Sequence, residues 1–279
     1  MTPRPPRAER ERLDVMLVDR GLASTRARAR ALILAGRVRC GTDRLTKPGQ
    51  RYPIDVELTV DRGRRWVGRG AYKLDAGLRE FAVDLRDRDC LDVGASTGGF
   101  TEVMLLRGAH RVIALDVGRG QLDWRLRRDD RVSVIEGVNA RRLRADDLPF
   151  APTFAAIDVS FISIGLVLPA IVAALDRARA GEIVALVKPQ FEVGRKRVGR
   201  GGIVRDPVLH DEVLRRTIDL AERAGCGATG LVASPIAGAE GNREFLLHLE
   251  RGRPSLDTAA LDRAVEAALV FPLRAEDEG

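Results

Sequence analysis

The sequence predicts an α/β protein: a Rossmann-like, seven-stranded, mostly parallel sheet with helices on both faces, preceded by a small basic α+β domain. Three observations lead there. From about Tyr72 onward, strand-type and helix-type apolar patterns alternate, which is how a parallel sheet wound on both faces is written. One apolar strand runs straight into a glycine-rich turn and a helix, Leu91-Asp-Val-Gly94-Ala-Ser-Thr-Gly98-Gly99-Phe100-Thr101. Net basicity is confined to the front: 16 Lys and Arg face 8 Asp and Glu through Trp66, whereas 31 face 32 in the remainder. Such a segregated surplus suits a polyanionic partner, through steering and counterion release.

The front of the chain reads in order. Residues 1–10, rich in Pro and Arg and without an apolar stretch, are expected to be disordered and carry no secretory signal. Leu13, Met16, Leu17 and Leu22 have helical spacing that ends near Gly21. Ser24 and Thr25 are good N-caps for a second helix to about Ala35, with Gly36 placed to stop it. Arg26 and Arg30 share a face of that helix, and Arg28 is displaced around the axis. Short β-type segments follow at Arg37–Cys40 and Ile54–Val60, joined by the turn-rich stretch Gly41–Pro53. Arg12-Leu13-Asp14, the Ser24-Thr-Arg-Ala-Arg-Ala29 helix entry and Gly36-Arg37-Val38 resemble an S4-like RNA-binding domain, over residues 11–61. The resemblance implies RNA contacts through Arg12, Arg26, Arg28, Arg30, Arg37 and, in a linker over residues 62–67, Arg65.

The larger domain is expected over residues 68–251. Its strands are Cys90–Val93, Val112–Asp116, Val132–Glu136, Phe154–Val159 and Ile183–Val187, with two more near Gly227–Ala233 and Phe245–Leu249. Helices lie between them, among them Phe100–Arg107, Ile164–Arg179 and Leu209–Ala224, and one begins near Tyr72. Residues 252–279 supply a further helix, Ser255–Leu269, and a tail.

In the glycine-rich turn, Gly94 permits a sharp reversal, and Gly98 and Gly99 permit close approach of backbone to a ligand. Asp92, at the strand end, can face a cationic ligand. The spacing is neither the dinucleotide pattern G-x-G-x-x-G nor a Walker loop, which counts against a nicotinamide-dependent oxidoreductase. It resembles motif I of class I methyltransferases. That resemblance implies an S-adenosylmethionine site built from Asp92, Gly94, Ala95, Ser96, Thr97, Gly98, Gly99 and Phe100. Two further strand ends add to it: Asp116 with Val117 for the ribose hydroxyls, and Glu136, Gly137 and Asn139 for adenine.

Only four of the 47 basic residues are lysines: Lys47, Lys73, Lys188 and Lys196. Where arginine is the default cation, a lysine is a candidate for work that needs a removable proton. Asp158 and Lys188 end apolar strands, where ligands bind in an open α/β sheet. Lys73 lies on the entering helix, and Glu244 near the last strand. A Lys73-Asp158-Lys188-Glu244 tetrad in this order resembles that of the RrmJ/FtsJ-like ribose 2′-O-methyltransferases. Gly68-Arg-Gly-Ala-Tyr-Lys73-Leu, Asp158-Val-Ser-Phe-Ile162 and Lys188-Pro-Gln-Phe-Glu192 look like the TlyA branch. The resemblance spans about Arg12 to Arg251. It implies 2′-O-methylation of cytidines in 16S or 23S ribosomal RNA, with ribosomal subunits as partners, in the cytoplasm. Lys188 is then expected to take the 2′-hydroxyl proton, with Lys73 and Asp158 tuning it and Glu244 positioning substrate.

Competing classes lack their signatures. Cys40, Cys90 and Cys226 are scattered, as are His110, His210 and His248, so neither a disulfide framework nor a metal site is expected. A membrane-active haemolysin would need a spanning run of about 18 apolar residues or an aromatic-faced basic helix. A pseudouridine synthase could share the S4-like domain, but would not need the cofactor turn. A non-catalytic ribosome-assembly factor would tolerate loss of the tetrad.

Overall fold

The structure, a computed structural model, describes residues 9–60, 66–175, 180–238 and 240–271. The chain divides between residues 65 and 66 into two compact units.

In the first unit, β1 (Arg10–Arg12) leads into α1 (Leu13–Asp19) and α2 (Arg26–Leu34). The Thr25 hydroxyl caps α2 by accepting the Arg28 N–H at 3.1 Å, and Gly36, with φ +66°, ends its turn. The strands β2 (Val38–Cys40), β3 (Asp43–Leu45) and β5 (Thr59–Val60) form a three-stranded sheet, and β4 (Arg51–Pro53) pairs with β1. Leu13, Leu17, Ile33 and Val38 make its core. The expected turn-rich stretch thus holds β3 and β4, and Arg10, expected to be disordered, pairs with Pro53. Strands of three residues are too short for a period of two to show. Residues 1–8 and Arg65 lie outside the described residues.

The second unit enters through α3 (Gly70–Glu80) and then winds β6 (Asp89–Val93), α4 (Gly99–Leu106), β7 (Arg111–Asp116), α5 (Trp124–Arg127) and β8 (Val132–Glu136). The chain next crosses to β9 (Phe154–Ile157), α6 (Ile164–Ala174), β10 (Glu182–Val187), α7 (Pro189–Glu192) and α8 (Pro207–Arg223). It closes with β11 (Cys226–Ala233), β12 (Phe245–Arg251) and α9 (Thr258–Val270). The seven strands run in the order β11-β12-β10-β9-β6-β7-β8, with β12 antiparallel to both neighbours. Alternate residues of each strand feed two cores. Leu91, Val93, Ile113 and Ile183 face α6, α8 and α9, whereas Cys90, Val112, Val184 and Leu246 face α3 and α4. Continuous apolar strands are what burial on both faces demands.

Two boundaries differ from expectation. Trp66 and Val67, expected in the linker, pack on the α3–α4 core, and the Val67 N–H donates to Glu102 at 2.8 Å. α6 stops at Ala174, before residues 176–179, which are not described.

The progression β6 to β7 to β8, followed by the crossing to β9, makes a topological switch between β6 and β9. A crevice opens there at the strand carboxyl ends. No described helix is long and apolar enough to cross a membrane. No group of three or more His, Cys, Asp or Glu with metal-site geometry occurs among the described residues.

Candidate active site

The sheet's switch point brings the glycine turn and Asp158 together. The Gly94 and Ala95 N–H groups both donate to the Leu115 carbonyl, at 2.8 and 3.1 Å, and Asp158 N–H donates to Val93 at 2.9 Å. A cavity of about 190 Å³ is lined there by Arg69, Gly70, Gly94 to Thr97, Gly99, Phe100 and Asp158. A larger cavity, about 530 Å³, lies at the opposite end of the strands beside Glu182 and His248 and holds none of the predicted site residues. The smaller one sits where the fold and the polar strand ends converge.

The tetrad resolves into two ion pairs. Lys73 Nζ lies 2.5 Å from Glu244 Oε2, with both side chains almost wholly buried. Lys188 Nζ lies 2.6 Å from Asp158 Oδ1, out of line for a hydrogen bond, and donates to Ser160 Oγ at 2.9 Å. The first turn of α3, which carries Lys73, runs close to the second pair: a Cβ on Gly70 would lie 3.5 Å from Asp158 Oδ2. Glu244, expected to position substrate, contacts Lys73.

Around Lys188 the structure gives places to residues that the sequence marked only as parts of two family-like phrases. Phe161, directly after Ser160, is 91% exposed and held at φ +65°, a left-handed conformation that is costly for a bulky side chain. Its ring lies 5.1 Å from that of Phe191 on α7. Glu192 fastens the two loops: one oxygen accepts from Ser163 Oγ and the other from Ile164 N–H, both at 2.7 Å. Phe161 thus stands exposed in strained backbone next to Ser160, the partner of Lys188.

The chain matches the FtsJ-like methyltransferase family over residues 66–251 and the S4 domain over residues 11–57. It belongs to the FtsJ-like methyltransferases. It is 46% identical to a protein of Mycobacterium tuberculosis, named 16S/23S rRNA (cytidine-2′-O)-methyltransferase TlyA, over 94% of this chain and 97% of that one. It is 37% identical to Hemolysin A of Brachyspira hyodysenteriae, over 85% and 98%. A solved structure from Streptococcus thermophilus, described provisionally as a hemolysin, is 42% identical and superposes with a TM-score of 0.70, covering 94% and 96%.

In this FtsJ-like methyltransferase the predicted cofactor residues fall into three groups. Asp92 has no exposed surface; Thr101 Oγ1 donates to its Oδ2 at 2.6 Å, while Oδ1 has no partner. Burial pushes its carboxyl up to about 7, with the nearby Asp158 and Asp116 charges adding to the rise. Asp116 accepts backbone N–H groups from Ser96 at 2.8 Å and Gly118 at 2.7 Å. Glu136 accepts from Gly120 N–H at 3.0 Å and from the Arg127 guanidinium. Asn139 caps the turn Ala140–Arg142, and Val117 is exposed.

Phe100, which also lines the cavity, and Gly98 make packing contacts. Phe100 is buried against Gly70, and a Cβ at Gly98 would meet Leu126 at 2.2 Å. Arg119, missed in the sequence, lies against Gly137, where a Cβ would come within 2.6 Å of its Nη2. Among the predicted RNA contacts, Arg12, Arg26 and Arg30 converge on Asp14, whereas Arg28 and Arg37 do not.

Proposed function

We propose that this methyltransferase transfers a methyl group from S-adenosylmethionine to the ribose 2′-hydroxyl of cytidine in ribosomal RNA, in the cytoplasm, with its S4 domain holding the RNA. The observation that carries the reading is Lys188, braced by Asp158 and Ser160 at the carboxyl end of the sheet beside the glycine turn. The relatives' names support the substrate: the Mycobacterium tuberculosis protein is named for cytidine 2′-O-methylation of 16S/23S rRNA, and a 34%-identical Campylobacter jejuni protein for 23S rRNA.

The donor set suits S-adenosylmethionine. Asp92 Oδ1, buried and without a partner, fits a cationic amino group. The glycine turn and its cavity fit the methionyl end. Asp116 keeps lone pairs for ribose hydroxyls, and Glu136, Gly137 and Asn139 border the adenine side. The cofactor supplies a methyl group on a positively charged sulfur.

The chain's own residues orient the nucleophile and take its proton. Attack on a methyl group needs the ribose oxygen in line, so fixing that oxygen contributes much of the rate. The Lys188 amine accepts the 2′-hydroxyl proton, while Asp158 and Ser160 keep it aimed. The buried Lys73–Glu244 pair holds the base of α3 against the site and sets the local charge.

The test uses purified full chain, tritiated S-adenosylmethionine and each isolated ribosomal subunit, with the modified ribose mapped. Wild type should label ribosomal RNA at ribose. Lys188→Arg keeps the charge but cannot serve as the base, and should lose about a hundredfold or more in kcat. Near-normal turnover with intact RNA binding would refute the assignment.

A further inference from the structure

We infer that Asp14, a buried carboxylate of the S4 domain, organises Arg12, Arg26 and Arg30 into a clamp for one phosphodiester of the RNA backbone. The inference rests on the RNA-binding reading of this domain and adds to it an acidic residue that the reading alone would count as unfavourable.

Asp14 has no exposed surface, yet it lies at the edge of the small domain, where three half-exposed guanidiniums cover it. Arg12 reaches it with two donors: Nε to Oδ1 at 2.9 Å and Nη2 to Oδ2 at 3.1 Å. Arg26 Nη2 and Arg30 Nε also donate to Oδ2, at 3.1 and 3.2 Å. The three cations come from different places in the chain, the end of β1 and successive turns of α2. Helix spacing puts Arg26 and Arg30 on one face, and the carboxylate joins them to Arg12. Arg12 in particular holds the acid far below the usual carboxylate range, so it stays ionised at any physiological pH.

The charges do not balance. Three guanidiniums on one carboxylate leave a surplus of positive charge that Glu11, beside Arg12, offsets only in part. Each guanidinium carries five donors, and Arg26 and Arg30 spend one apiece. A stabilising ion pair needs one partner, and buried ionic groups are a weak source of stability in any case. A surplus of preoriented N–H forks is instead what binds a second anion. A phosphate oxygen pair matches that geometry, and fixing the forks beforehand removes the rotamer entropy that binding would otherwise cost.

The sign of one substitution separates organisation from bulk charge. Asp14→Asn adds a unit of positive charge to a basic surface, so electrostatics alone predicts tighter RNA binding. The clamp predicts the reverse, a weakening of about five- to tenfold together with a shallower salt dependence. The assay is filter binding of the full chain to transcribed 16S and 23S rRNA across a salt series, with thermal melts of both proteins. Equal or tighter binding by Asp14→Asn overturns the inference. A wild-type chain that retains neither transcript overturns the RNA-binding reading, and the clamp with it. Should Asp14→Asn fail to fold, Arg26→Lys and Arg30→Lys decide. Each keeps the charge and loses the fork, so each should weaken binding several-fold. Unchanged affinity in both overturns the clamp.

Discussion

Asp92→Asn tests whether the floor of the cofactor turn is built around a carboxyl kept partly protonated by burial. In the unfolded chain Asp92 loses its proton near pH 4, whereas in the folded chain it holds it to about 7. Between those values the folded state binds a proton that the unfolded state has released, so stability falls as pH rises. The contribution is complete below about pH 4 and lost by the time pH has passed through the folded value. At about 1.4 kcal/mol per pH unit over roughly three units, the ceiling is about 4 kcal/mol. Asparagine keeps the shape and an oxygen for Thr101 but cannot ionise, so it removes this dependence. The assay is urea unfolding of wild type and variant from pH 4 to 8, without cofactor. The variant should gain stability relative to wild type as pH rises, with most of the change between pH 4 and 7. Parallel curves would refute the reasoning. With S-adenosylmethionine added, the variant should bind more weakly than wild type, most clearly at pH 8, where wild-type Asp92 is ionised.

Three further outcomes follow from the same geometry. Gly94→Ala places a Cβ 2.3 Å from the Asp158 carbonyl at φ +88°; strain and overpacking should cost about 2–4 kcal/mol in urea unfolding, and an unchanged midpoint contradicts the packing argument. Ser160→Ala removes a hydrogen bond from Lys188 and should lower kcat about tenfold while moving its pH profile, with KM for RNA held; an unmoved profile makes Ser160 a bystander. Phe161→Ala should weaken RNA binding by roughly 1–3 kcal/mol if a nucleobase stacks there, leave cofactor affinity alone, and be rescued by Phe161→Trp.

Much of the larger domain was legible because its signals are local. Strands buried on both faces are continuous apolar runs, and all seven were found within a few residues of their observed ends. A glycine turn between strand and helix writes its chemistry in adjacent residues. The scarcity of lysine marked Lys47, Lys73, Lys188 and Lys196 alike, and position together with the tetrad resemblance picked Lys73 and Lys188 from them. In the small domain β3 and β4, of three residues each, were too short to leave a periodic trace.

The sequence thus named candidates for the site, since residue type, strand-end position and order are properties of a line. It could not pair them. Lys73 meets Glu244 across 171 positions, and Lys188 meets Asp158 only because β9 and β10 are neighbours in register. Nor could it tell that Phe100 would be buried against Gly70 while Phe161 stood exposed, or that three arginines would close on Asp14. Those outcomes depend on burial and on which surfaces meet, and both arise only when distant segments share one core.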